Sequence, residues 1–285
     1  MLEAKSHVFD YSGLARISDL GTADSKRLFA FLKEEQDDFT SKEAEFRSAE
    51  YMWPRTPLYS WSRVWEYPYV YYQIKRWHET VGQVQASRVL DFGSGVTFFP
   101  FAVAKLGISV TCADNDTICE KDLSRAVSVV PHQPGKIDFR LCNGSKLPFD
   151  DNEMDGVYSV SVLEHILQFE DTLDDIVRVL RPGGLLVLTV DLDLRGDSEI
   201  GIIPHMKLTE ILSSHFDYLS PLNITHPLDI LHSASGPYGF SSPDRFSLAW
   251  FNFKQHVVKP ILGEKERSLH PFSLGCQAFA MTKKA

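Results

Sequence analysis

Cysteine is scarce. Cys112, Cys119, Cys142 and Cys276 are the only four in 285 residues. So few, with no Cys-x-x-Cys spacing, exclude a disulfide framework and a zinc or redox motif, and they read as small buried apolar side chains. Long hydrophobic runs are missing too. No segment reaches the ~18 apolar residues of a membrane span, and Met1 to Gly13 has no apolar stretch of signal-peptide length. No membrane association and a cytoplasmic location are therefore expected. Clustered positive charge is also absent: the net charge is -9, and Lys283 with Lys284 is only a short basic pair. A phosphate backbone is neutralised by Lys and Arg clusters, so no nucleic-acid partner is expected. Internal repeats and low-complexity tracts are lacking as well.

What is present is a chain with 44% hydrophobic and 24% charged residues, enough apolar material for a full core. From Val89 to Val190, short β-rich runs alternate with helical patterns, which predicts an α/β fold with a doubly wound, mostly parallel sheet. Strands are expected at Arg88 to Phe92, Ile108 to Ala113, Lys136 to Leu141, Gly156 to Ser161 and Leu185 to Val190. A helix from about Thr97 to Leu106 takes Pro100 in its first turn, where the missing N–H costs nothing. Leu173, Ile176, Val177 and Leu180 fall on one helical face. Arg181-Pro-Gly-Gly184 should end that helix, with both glycines in left-handed conformations.

Two regions frame this core. Residues 1–80 read as helical, with Asp24 or Ser25 as N-cap before Leu28, Phe31 and Leu32. They include an aromatic-dense stretch from Tyr51 to Trp77. After a helix marked by Leu208, Ile211, Leu212 and Phe216, residues 221–272 read as a loop-rich insertion. Residues 273–285 hold a last strand, expected from Gln277 to Lys283. The expected organisation is thus an N-terminal cap (1–80), a core (81–220), an insertion over the substrate side (221–272) and a closing strand.

The strongest chemical signal is Val89-Leu-Asp-Phe-Gly-Ser-Gly95 at a strand-to-helix turn. Glycine there permits close backbone approach to a ligand, and a helix start offers unpaired N–H groups to an anion, although tight turns also need glycine for structural reasons alone. Asp114 follows Gly93 by 21 positions. That is close to the ~20-residue spacing at which a carboxylate receives ribose hydroxyls. Asn115 and Asp116 continue the acidic turn. A dinucleotide fold wants a third glycine where Phe98 stands, so nicotinamide binding is disfavoured.

With these residues in view, the sequence resembles the class I, Rossmann-like methyltransferases that use S-adenosylmethionine. The run from Val89 to Gly95 looks like their first motif, and Asp114 matches their ribose-binding acid. Asn143-Gly-Ser-Lys-Leu-Pro-Phe149 and Asp155 to His165 are similar to their adenine-side loop and fourth strand. Arg178-Val-Leu-Arg-Pro-Gly-Gly184 resembles the turn entering their fifth. The resemblance spans about Arg88 to Val190.

It implies a site formed by Asp91, Gly93, Ser94, Gly95, Asp114, Asn115, Asn143, Gly144 and Ser159. Asp91 would orient the ammonium, the turn would hold the methionine end, and Asn143 would meet the adenine amino group through its amide oxygen.

Methyl transfer is an in-line displacement that needs alignment and, for a hydroxyl acceptor, proton removal. The strand-end residues facing that zone are Ser159, Ser161, Glu164, His165, Asp191 and Asp193. His165 is the first candidate base, because imidazole titrates near neutrality, and Asp191 is the second. Asp191 and Asp193 share one face and could also hold a metal, although solvated strand-end acids are the favoured reading and no metal is expected. His205, His226, His232 and Tyr238 are weaker candidates. The fourth strand lacks the Asn/Asp-Pro-Pro-aromatic tetrad of nucleobase methyltransferases. The expected acceptor is a small polar molecule such as a sugar or other hydroxylated metabolite. A protein or nucleic-acid acceptor and a non-catalytic cofactor-binding module remain as alternatives.

Overall fold

The computed structural model describes residues 7–81, 87–142, 146–193, 200–239, 253 and 274–285. Five parallel strands form the centre of its sheet: β2 (Arg88–Phe92), β3 (Ser109–Asp114), β4 (Lys136–Leu141), β5 (Met154–Val160) and β6 (Leu180–Asp193). With β1 (Ser12–Leu14), β7 (Phe216–Tyr218), β8 (Leu222–Asn223) and β9 (Leu274–Lys283), the sheet runs β4-β3-β2-β5-β6-β9-β1-β8, and β7 also pairs with β9. β9 is antiparallel to β6 from Leu185↔Thr282 to Asp193↔Leu274.

The expected doubly wound α/β architecture is present, and the five core strands fall where the β-rich runs placed them, give or take their ends. β6 is much longer than expected. It starts at Leu180, directly after the helix, and only Gly183 takes a left-handed φ, of 72°. Gly184 is needed for space instead: a Cβ there would lie 2.8 Å from the Arg181 carbonyl oxygen.

Helices cover both faces. On one lie α1 (Ile17–Leu20), α2 (Ala23–Ser41), α3 (Glu43–Phe46), α4 (Arg63–Val81), α5 (Phe99–Ala104) and α6 (Thr117–Val129); on the other lie α7 (Phe169–Val179) and α8 (Ile202–His215). α7 has the apolar stripe its sequence announced, burying Leu173 and Ile176. α5 carries Pro100 in its first turn, as expected. The N-cap of α2 is Thr22, whose hydroxyl accepts from Ser25 N–H, so Asp24 and Ser25 lie inside the helix. A threonine hydroxyl reaches the third N–H as well as an aspartate would, and Asp24 is left to favour the first turn through the helix dipole. Phe216 belongs to β7 rather than to α8.

The N-terminal region is not wholly helical, because β1 joins the sheet beside β9 through Gly13↔Ala278. The aromatic stretch mostly fills the interior: Trp61, Trp65, Tyr67, Tyr69, Tyr71 and Trp77 are buried, whereas Trp53 is exposed. Of the insertion, β8, a short 3-10 turn at Pro227–Asp229 and the chain to Gly239 are described; 240–252 and 254–273 lie outside the described residues. All four cysteines are buried and unbridged. Among the described residues, no helix is long and apolar enough to cross a membrane.

One buried carboxylate ties the N-terminal segment together. Asp19 accepts from Tyr11 Oη at 2.6 Å, Trp65 Nε1 at 2.8 Å and Arg16 Nε at 3.0 Å. Asp19→Ala orphans two buried donors, each costing roughly 1–3 kcal/mol. The expected result is a urea midpoint lowered by the equivalent of about 2–6 kcal/mol in total. An unchanged midpoint would show that this junction is dispensable.

Candidate active site

The site begins with the parallel pairing of β2 and β3. The register Phe92↔Ala113 brings the turn after β2 against the end of β3. Gly93 N–H and Ser94 N–H both donate to the Ala113 carbonyl, at 2.8 and 3.2 Å, and Gly95 N–H donates to Asp114 Oδ2 at 2.9 Å. Gly93 (φ 73°) and Gly95 (φ 54°) hold left-handed conformations that only glycine adopts without strain. A Cβ at Gly93 would also strike Val162 at 2.5 Å. The N-terminal region closes the other side. Tyr51 Oη accepts from Val96 N–H at 3.1 Å, and the Arg47 guanidinium lies 4.1 Å above the Tyr51 ring.

All four backbone N–H groups from Gly93 to Val96 are therefore engaged within the protein. α5 adds little as an anion site, since it has only six residues and Pro100 lacks an N–H. What this turn offers a ligand is close approach and the carboxylates on either side of it.

Asp91 and Asp114 are those carboxylates. Asp91 is buried on β2 opposite Tyr158 of β5. Burial pushes its carboxyl up to about 8, with Tyr158 pulling the other way and Asp114 adding a further push. Asp114 is half-buried; its Oδ1 accepts from Asp116 N–H at 3.1 Å. Ser94 is buried and Asn115 is exposed beside them, while Asp116 caps α6 by accepting from Ile118 N–H. Ser159 is buried, and its hydroxyl donates to the Phe92 carbonyl at 3.0 Å, tying β5 to β2 beneath the turn. Asn143 and Gly144 lie outside the described residues. Phe98 is 1% exposed and meets Tyr67 edge-on, so the place of a third dinucleotide glycine is filled by core.

A second, more buried group of polar side chains occupies the carboxyl ends of β5 and β6. Glu66 of α4 is 0% exposed and pairs with Arg63. Its Oε1 accepts from Ser161 Oγ at 2.7 Å, and Arg63 Nη1 also reaches Ser161 Oγ at 2.7 Å. Burial alone would raise the Glu66 carboxyl, but the Arg63 charge and the Thr189, Ser161 and Ser62 hydroxyls outweigh it and hold the carboxyl below its ordinary value. Ser161 has φ 48°, uncommon for a non-glycine residue, and this turns its hydroxyl between the two charges.

Glu164 accepts from Asp191 N–H at 3.0 Å, and burial raises its carboxyl. Asp191 is half-buried, and its carboxylate, that of Glu66 and Cys276 Sγ offer atoms within 4.8 Å of one another. Asp193 is buried two residues further along and does not join this group.

His165 ends a short 3-10 turn and is exposed, its N–H donating to the Val162 carbonyl. Together with Glu164, Leu163, Phe169, Ile200 and Pro204 it lines an opening of about 190 Å³. His205 is hydrogen-bonded to Gln277 at 2.7 Å. His226 accepts from Leu228 N–H, His232 from Ala234 N–H while pairing with Gly275 of β9, and Tyr238 stacks on Phe29. Arg63, Arg47 and the hydroxyl of Tyr51 are the neighbours that sequence reasoning did not single out; Glu66 belongs to Trp65-Glu-Tyr-Pro68, which precedes the glycine turn by a helix's length and is expected from the sequence as a stretch within reach of the cofactor.

Comparison with known proteins bears on this geometry. Residues 90–188 match the family described as methyltransferase domain. That segment carries part of β2, all of β3 to β5, the first part of β6, the glycine turn, Asp114 and the Glu66-facing Ser161. Residues 90–188 form a class I methyltransferase domain.

The chain is similar to an uncharacterized methyltransferase of Mycolicibacterium vanbaalenii, 30% identical over 172 residues, covering 56% of this chain and 66% of that one. It is also similar to a ubiquinone biosynthesis O-methyltransferase of Rhizobium rhizogenes, 30% identical over 103 residues, covering 36% and 40%. The chain spans from about half to just under two thirds of the length of the first curated relatives it matches. Among solved structures, the (4+2)-cyclase SpnF superposes with a TM-score of 0.56 at 15% identity, over 96% of this chain and 99% of the other, which is a likeness of fold.

The raised Asp91 carboxyl makes a stability prediction. A carboxyl whose folded value lies above its unfolded one contributes stability that is full in acid and is lost as pH rises through the folded value. Relative to wild type, Asp91→Asn should therefore gain in melting temperature from about pH 4 up to about pH 8 and level off beyond. A difference that stays flat over this range, measured by thermal scans, would mean that Asp91 is ionised throughout.

Proposed function

We propose that the protein binds S-adenosylmethionine at the turn between β2 and α5 and transfers its methyl group to a small hydroxylated molecule. The observation that carries this is the joint geometry of the glycine turn and its two flanking carboxylates. Asp114 is pinned by Gly95 N–H through one oxygen and by Asp116 N–H through the other, each of which keeps a lone pair for a ribose hydroxyl. Asp91 is the group for the ammonium, Ser94 and Asn115 border the ribose side, and Asn143 and Gly144 complete the reading on the adenine side. The family match and the relatives' names support it, and an O-methyltransferase among them favours an oxygen acceptor.

When bound, the sulfonium supplies an electrophilic methyl group with a good leaving thioether. The chain's own work is alignment and proton management. The polar group at the ends of β5 and β6 suits that task. Asp191, whose N–H donates to Glu164, brings a half-buried carboxyl that can accept a hydroxyl proton as the oxygen is alkylated, and His165 stands at the rim to pass it to solvent. The acidic chain and the lack of a basic cluster support a small-molecule acceptor over a nucleic acid. Because a structure of similar fold is named a cyclase, binding and turnover have to be measured separately.

Calorimetry with S-adenosylhomocysteine tests the cofactor. Asp114→Ala should weaken it by the value of lost charge-assisted bonds, roughly 1.5–3 kcal/mol or about 10- to 150-fold. Equal affinity in a folded variant would remove Asp114 from the site. In competition, nicotinamide dinucleotides should lose to S-adenosylhomocysteine by a wide margin, since Phe98 fills the space that a pyrophosphate loop leaves open.

A further inference from the structure

Methyl transfer at the ends of β5 and β6 needs a seat for the acceptor, and the opening of about 190 Å³ beside Glu164 and His165 lies against that zone. Its nearness to the glycine turn is direct: Val162, the residue before the opening's Leu163, is the side chain that a Cβ at Gly93 would strike at 2.5 Å. Among the described residues, Leu163, Ile166, Leu167, Phe169, Ile200 and Pro204 form its walls, and Glu164 and His165 are the two polar side chains on it. A cavity of ~150 Å³ lined by Leu, Ile and Phe takes up benzene, so this one has room for a ring or a short run of methylenes. A sugar fits poorly. Each of its hydroxyls gives up water on entry, and two polar side chains cannot replace that water around a whole ring.

One polar bond is on offer at the inner end. Glu164 Oε1 accepts from Asp191 N–H at 3.0 Å, which fixes the carboxyl against the end of β6. Its Oε2 is buried and has no hydrogen-bond partner among the described residues. A buried carboxyl oxygen in that state is short of a bond that a hydroxyl can supply. The apolar character continues outside: Leu167 is 97% exposed, Ile203 79%, Ile202 70% and Met206 64%. The last three share the face of α8 turned away from its buried Leu208 and Leu212, and Pro204 between them borders the opening. Further along that face stand Glu210 and Ser213, both exposed. Scattered exposed apolar residues are ordinary, but on α8 they are confined to the end that borders the opening.

We propose that this opening seats an acceptor whose hydroxyl is carried on a hydrocarbon body, with Glu164 meeting the hydroxyl and Leu167, Ile203 and Met206 covering the part that extends beyond the opening. The assignment rests on the methyl-transfer reading above and narrows it: the acceptor is an alcohol or phenol with an apolar ring or chain, not a sugar. Glu164 then ties the acceptor through one N–H···O bond to Asp191, the carboxyl that takes the hydroxyl proton.

The test titrates 1-butanol, 1-hexanol and 1-octanol beside glycerol and glucose by saturation-transfer NMR, with S-adenosylhomocysteine binding measured separately by calorimetry. Affinity should rise about two- to fourfold with each added methylene, and 1-octanol should bind at least about tenfold more tightly than glucose. Methyl pentyl ether, which matches 1-hexanol in size and lacks the hydroxyl, should bind about three- to tenfold more weakly than 1-hexanol. Leu167→Asp and Ile203→Asp change exposed positions, with circular dichroism as the check on folding. Each should weaken 1-octanol by about tenfold and S-adenosylhomocysteine by less than about twofold. Ile224→Asp, at an exposed apolar position after β8, should alter neither. A flat alcohol series, or 1-octanol affinity unchanged in both folded aspartate variants, overturns the hydrocarbon seat while bound S-adenosylhomocysteine leaves the cofactor reading standing. Equal binding of the ether and 1-hexanol overturns the role of Glu164. If the aspartate variants turn a dimer into a monomer on size-exclusion chromatography and keep their 1-octanol affinity, the apolar face is a contact between copies and the seat is overturned. If the wild-type protein binds no S-adenosylhomocysteine, the methyl-transfer reading fails, and the acceptor assignment fails with it.

Discussion

The clasp between β2 and β3 governs the rest of the site. A single carbonyl, that of Ala113, accepts from Gly93 and Ser94, and the next residue's carboxylate accepts from Gly95. Three consecutive N–H groups of a turn are thereby fixed by two consecutive residues of the neighbouring strand. This locks the left-handed glycine conformations and sets where Asp91, below the turn, and Asp114, beside it, stand. The same arrangement uses up the donors that a free turn would present. The result is a rigid cradle flanked by two carboxyl groups.

A buried ion pair reaches the ends of the neighbouring strands from a helix packed over the sheet. Burying Glu66 would cost several kcal/mol without a partner, and Arg63, Ser161 and Thr189 supply what water no longer can. A buried pair of this kind is weak evidence for added stability but good evidence for fixed geometry, because breaking either half leaves a charge stranded. It is also an unusual link between parts of the chain. Residues of α4 contact strand ends that follow them by nearly a hundred positions, as the Arg63–Ser161 bond does at a separation of 98.

This separation explains what was legible in the sequence and what was not. The glycine turn, the ribose-type acid, the apolar stripe of α7 and the five core strands are local signals, carried by spacing or periodicity within a few turns of chain. They were readable because β2 and β3 pair in register and the motif lies at their shared end. Arg63 gave no such signal: a charge three residues before Glu66 on a helix reads as half of a surface ion pair. Only the sheet beneath them makes that pair buried. β1 was lost for a related reason, since three residues around a glycine have no strand pattern of their own and become a strand through β9. Tyr51 was visible as part of an aromatic stretch, but nothing in the sequence distinguishes the one hydroxyl that meets Val96 from the neighbouring rings that simply fill the core. His165 was readable as a titratable group after the fourth strand, and its exposure depends on how the short 3-10 turn leaves the sheet.

β9 has a consequence for how such a molecule assembles. Its flank carries β6 on one side and both β1 and β7 on the other, and the Gly13↔Ala278 pair joins positions 265 apart. Contacts this distant in sequence close slowly, because a long loop must be ordered before any of its pairing is realised. During synthesis, β1 emerges long before the strand it needs, and the apolar underside of the N-terminal helices has only the central strands to lie on in the meantime. The matched domain can take shape early, while the half of the sheet beyond β6 has to wait. A chain cut short before β9 would leave the β6 edge open, an unpaired strand nine residues long in its native pairing and ready to join with a second copy.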